Sequence, residues 1–141
     1  MPSTDPNELA IENMVRRFYE IGLADDVLGP IFRGAIHDWE AHIQTVSDFW
    51  SRSILGTDRY QGNSFAPHMR LDFEPEAFAN WLWAFESAAT HCLAPPEAER
   101  AIKVARHMAT SFKSGLFPFK GLDGRPSRDP VRKPGKRSEN A

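Results

Sequence analysis

Residues 38–56, DWEAHIQTVSDFWSRSILG, decide how this chain folds. Apolar side chains recur at Trp39, Ile43, Val46, Phe49, Trp50 and Ile54, and His42 and Ser53 fall on the same stripe. Steps of three and four place these residues on one face of an α-helix and fit no strand. The spacing predicts a helix from about Asp38 to Leu55, with Gly56 as its C-terminal stop. Glu40, Gln44 and Asp48 lie on the opposite side, so His42 points with the apolar face rather than toward water.

The same rhythm continues in both directions. Upstream, Asp5-Pro6-Asn7-Glu8 reads as a helix start, with a capping aspartate, a proline at the first position and a capping-box carboxylate. Ile11, Met14, Val15, Phe18 and Tyr19 follow in register up to Gly22. Asp25 to Pro30 breaks the pattern, and Ile31-Phe32 is an apolar pair in the short segment that follows. Downstream, residues 56–67 are rich in turn formers, and His68 comes directly after Pro67 in a short stretch ending near Asp72. Pro75 and Glu76 start another helix carrying Phe78, Trp81, Leu82, Phe85, Ala88, Ala89 and Cys92. Pro95-Pro96 ends it, and a last helix has Ala98, Ala101, Ile102, Ala105, Met108, Ala109 and Phe112 on its inner face. No period-two alternation competes. The predicted fold is all-α.

At 141 residues the chain suits a single domain. Its 41% hydrophobic and 26% charged residues are those of an ordinary soluble protein. Cys92 is the one cysteine, so an internal disulfide and every cysteine-based metal framework are excluded. Its place in an apolar stripe reads as a small buried hydrophobe. The N-terminus has neither the basic nor the apolar region of a signal peptide, and no apolar run approaches a membrane span; a cytoplasmic protein without membrane insertion is expected. Residues 1–119 carry ten Lys and Arg against sixteen Asp and Glu, a net −6, which argues against nucleic-acid binding by the folded part. Residues 120–141 carry seven against three, a net +4, and are too polar to bury much surface. The expected organisation is a folded domain over residues 1–119 and a basic, disordered tail over 120–141.

No phosphate loop, nucleophile elbow, paired-histidine zinc helix or covalent haem attachment sequence occurs. The unusual feature is polar rings on apolar faces: Tyr19, His42 and Trp81 on three different helices, and His68 between Pro67 and Met69. Each taken alone reads most simply as a core residue with one hydrogen-bond partner. Non-covalently bound haem leaves no spacing signature, because one imidazole suffices for its iron.

Taken in order, several pieces resemble the group III truncated haemoglobins. They are Phe18-Tyr19-Glu20, Leu28-Gly29-Pro30-Ile31-Phe32, Trp39-Glu40-Ala41-His42 through Phe49-Trp50, Tyr60-Gln61-Gly62, Pro67-His68, and Phe78 through Trp81-Leu82 to Phe85. The matches run across roughly residues 8–118, and the chain lacks the Gly-Gly pairs of the other two truncated groups. The resemblance implies a shortened globin fold, a two-over-two helical sandwich around haem b. It implies that His68 is the proximal iron ligand and that Phe32 packs on the porphyrin. Val46, Phe49 and Trp50 would line the pocket, and Tyr19, His42 and Trp81 would stand on the distal, ligand-binding side. Arg70, with Arg52 and Arg59 as alternatives, is a candidate for the haem propionates.

The resemblance further implies a haem protein that reversibly binds O2, with NO and CO as further ligands, at a pentacoordinate or weakly hexacoordinate iron. The alternative is a haem redox enzyme served by a reductase, with nitric oxide dioxygenase or peroxidase-like activity. Three distal hydrogen-bonding side chains suit both, and the reading leans toward the binding protein. The basic tail lies outside the resemblance.

Overall fold

The computed structural model describes residues 5–62 and 73–128. Among the described residues five helices carry the fold: α1 (Pro6–Ala24), α2 (Leu28–Ala35), α3 (Trp39–Leu55), α4 (Ala77–Cys92) and α5 (Pro95–Leu116). The α3 helix has the predicted span. The Asp38 carboxylate accepts from the Ala41 N–H at its start, and Gly56 ends it at φ 77°, a left-handed conformation that favours glycine. At the start of α1 the Asp5 carboxylate accepts from the N–H groups of Asn7 and Glu8. Glu8 itself is committed elsewhere: its side chain crosses to Ser51 and Arg59 on the α3 side.

The segment around Ile31-Phe32 is a complete helix of eight residues, α2. The Asp25 carboxylate starts it by accepting from the Val27 and Leu28 N–H groups, each at 2.9 Å. Gly22 lets α2 come close. A Cβ there would lie 2.3 Å from the Phe32 ring, so the glycine on α1 is what admits that ring.

The helices form two layers of two. The α1–α3 pair lies over the α4–α5 pair, with α1 against α4 and α3 against α5. This is the two-over-two sandwich, and its core is drawn from the predicted stripes: Ile11, Met14, Val15, Phe18, Ile43, Trp50, Phe85, Ala88, Ala101 and Ala105 are all buried. Alanines at Ala88, Ala89, Ala101 and Ala105 keep α4 and α5 close together. A second apolar cluster of Phe78, Ala109, Phe112, Leu116 and Phe117 closes the far end.

Two further features mark that end. The α5 helix runs through Gly115 to Leu116. Residues 120–128, which composition assigned to a disordered tail, fold back with Phe119 as an antiparallel hairpin of β1 (Phe119–Lys120) and β2 (Pro126–Ser127). Two of the basic residues there have partners that composition cannot reveal: Arg125 pairs with Glu76, and the Arg128 guanidinium lies over the rings of Phe73 and Phe117 at 5.3 and 5.0 Å. The predicted stretch from His68 to Asp72 and the tail beyond Arg128 lie outside the described residues.

Candidate functional site

The site is built where α1 and α3 lie side by side. Tyr19 is on the inner face of α1 and 8% exposed; His42 is on the matching face of α3 and half-buried. Their side chains meet across 23 positions of sequence, Tyr19 Oη to His42 Nε2 at 2.6 Å. Burial pushes the Tyr19 phenol well above its ordinary range. The phenol therefore keeps its proton, and which of the two atoms donates depends on the imidazole tautomer.

Aromatic rings surround this bond. Around Tyr19 stand Phe18 at 4.8 Å, Phe32 at 5.2 Å and Trp39 at 5.4 Å between centroids, all edge-on. Phe18 in turn meets Trp81 and Phe85, both at 6.0 Å. Trp81 stacks on Phe85 at 5.9 Å, so it joins the Tyr19–His42 pair through Phe18. Trp50 is 3% exposed and stacks on Phe85 at 4.4 Å, supporting this group from within the core. Val46 and Phe49 are half-buried on α3, and the Phe49 ring also meets Tyr60 at 5.3 Å.

The structure thus brings together Tyr19, Phe32, His42 and, through Phe18, Trp81. His68 and Arg70 lie outside the described residues. Arg59 is committed to Glu8, Asp48 and Ser51, while Arg52 donates to the Tyr60 carbonyl. Two residues of the cage were not singled out from sequence. Phe18 and Trp39 sit on the predicted stripes, but a stripe does not tell which of its members faces a functional pair.

No group of three or more His, Cys, Asp or Glu among the described residues could hold a bare metal ion. Phe32, Val46, Phe49 and Trp81 pack on the core yet stay half-buried, apolar surface of the kind that a flat apolar chelate would cover. Two surface depressions along α4 and α5 include none of the predicted site residues.

No protein-family model matches the chain. It is 29% identical over 120 residues to the group 3 truncated hemoglobin ctb of Campylobacter jejuni, covering 82% of this chain and 94% of the relative. The crystal structure of group III truncated hemoglobin from Campylobacter jejuni superposes with a TM-score of 0.73 at 30% identity, covering 83% of this chain and 96% of that one. The chain belongs to the group III truncated haemoglobins.

As a truncated haemoglobin it is a globin whose family implies a haem cofactor. The two-over-two sandwich is that of its structural relative. No helix among the described residues of this globin is long and apolar enough to cross a membrane.

Proposed function

We propose that this globin holds haem b through His68 and reversibly binds O2, with NO and CO as further ligands. The observation that carries this reading is the Tyr19–His42 hydrogen bond inside an aromatic cage. Bound haem would supply an iron with one open coordination position for a diatomic gas. Tyr19 offers that position a neutral O–H donor whose proton burial prevents it from losing. Phe32, Val46 and Phe49 would wall the cofactor, with Trp50 backing them, and Arg70 would meet its propionates. The apolar rings keep water from the donor, so its hydrogen bond is worth more than it would be in solvent. Trp81 brings an indole N–H as a second donor, and His42 sets the direction in which the Tyr19 proton points.

One observation also favours a redox role. A protonated phenol hydrogen-bonded to an imidazole is a couple able to deliver a proton, as peroxidase-like or nitric oxide dioxygenase chemistry requires. NO consumption by the oxygenated protein with a reductant present separates that reading from simple binding. A reductase partner belongs only to the redox role; a cytoplasmic setting belongs to both.

The test is the optical spectrum of the ferric, ferrous and CO-bound forms. His68→Ala is expected to lose haem or to lose the histidine–iron features. Substitutions of His37, His91 and His107, all exposed, leave the spectrum as it is. An unaltered spectrum from His68→Ala overturns the ligand assignment.

A further inference from the structure

Trp39 opens α3 and is half-buried. Among the described residues its ring meets two others, and these are the two partners of one hydrogen bond. Its centroid is 5.4 Å from Tyr19 at 75° and 6.4 Å from His42 at 82°. Trp39 and His42 are three residues apart and share a face of α3, and helical side chains lean toward the N-terminus. The imidazole therefore leans over the turn that carries the indole. A helical backbone leaves a side chain two common χ1 settings, because the third runs into the preceding turn. For His42 one of these settings reaches the Tyr19 hydroxyl. Leaving it means moving past a ring that already stands edge-on against the imidazole.

We propose that Trp39 is a positioning residue that keeps His42 turned in toward Tyr19, so that it controls how freely a gas ligand enters. The proposal rests on the reading that Tyr19 and His42 face that ligand. Trp39 touches both rings, so its loss loosens the pair from both sides at once. The neighbouring cap, in which the Asp38 carboxylate accepts from the Ala41 N–H, does not involve the indole and remains available to α3 without it.

The experiment uses the haem-loaded ferrous protein, with CO as the probe, in Trp39→Ala and Trp39→Leu; the leucine variant guards against a simple packing defect. Infrared spectra of bound CO count the distal conformers, and flash photolysis gives the rate of CO entry. Both variants are expected to show a second C–O stretching band and faster CO association. A closed pair opens as a minor state of up to about 10%, so freeing it speeds entry by roughly tenfold or more. Trp39→Phe, which keeps a ring edge, should restore the single band. The decisive readout is a double-mutant cycle with His42→Leu: if Trp39 acts through His42, its removal adds little once the imidazole is gone. An equal gain in that background overturns the proposal, as does an unchanged band and rate in Trp39→Ala and Trp39→Leu when His42→Leu alters both. If His42→Leu and Tyr19→Phe also leave CO binding untouched, the distal assignment itself falls and takes this inference with it.

Discussion

The two ends of the α1–α3 pair use similar contacts for different purposes. At one end Ser51, wholly buried, shares its hydroxyl with Glu8, Thr57 and Arg59, and Arg59 also grips Asp48 at 3.0 Å. At the other, the Tyr19 hydroxyl has one partner among the described residues, His42. The Ser51 end is a set of charges and hydroxyls with their capacity filled by one another. At the Tyr19 end a phenol with one partner among the described residues stands among rings, and its single proton can turn to another acceptor. A saturated network holds helices together; an under-committed donor in an apolar cage can serve a ligand. Buried polarity alone does not mark a site, and what distinguishes the two is the capacity left unfilled.

Replacing the donor is expected to have the largest effect. A hydrogen bond from Tyr19 to a partly anionic acceptor is worth about 1.5–3 kcal/mol, so Tyr19→Phe should speed O2 release by roughly 10- to 100-fold, measured by stopped-flow displacement. Release at the wild-type rate would place Tyr19 with Ser51 among purely structural residues. Next comes Ser51→Val, which leaves Glu8 and Arg59 without the hydroxyl between them. A cost of about 1–3 kcal/mol in urea unfolding is expected, with O2 release unchanged. A change in O2 release would show that the two ends are coupled through the helices.

Asp25 sharpens the contrast, because it lies just beyond the Tyr19 end of α1 yet outside the cage. Its carboxyl is held below the ordinary range, chiefly by the Leu28 N–H and further by Asn80 and the Val27 N–H, against the opposing effect of burial. A folded pKa below the unfolded one gives stability that is complete above about pH 4 and disappears as pH falls through the folded value. Asp25→Asn keeps a capping oxygen and loses only the charge, so it should lower stability at neutral pH by about 0.3–1 kcal/mol, read as a lower melting point, and match the wild type in strong acid. A deficit that persists in acid would mean the loss is one of packing. The smallest effect belongs to Arg16, which forks onto Glu40 on the surface of the same helix pair, Glu40 being 75% exposed. Arg16→Gln should shift the melting point less than either of these, and about 1 M salt, where charges are screened within about 3 Å, should erase the difference.

Most of the architecture was readable in advance because a helix announces itself locally. The periodicity that places Ile11, Phe18, Ile43, Trp50 and Phe85 inside is a relation between residues three and four apart, and the caps at Asp5 and Gly56 act within one turn. The same local rule put Tyr19, His42 and Trp81 on inner faces, and the ordered series of short motifs identified the family that similarity to a solved relative supports. Which inner residues meet is another matter. Glu8 at the first turn of α1 could have served a capping box as well as it serves Ser51 and Arg59, since both arrangements satisfy the carboxylate. The hairpin that starts at Phe119 depends on Glu76 and Phe73, residues far away in sequence, together with the nearby Phe117. The pairing of Tyr19 with His42, and the place of Phe18 and Trp39 around it, follow from how two helices set their ridges against each other, a sum of many weak contacts spread over the whole core. The faces of the helices were written in the sequence; the partners across them were decided by packing.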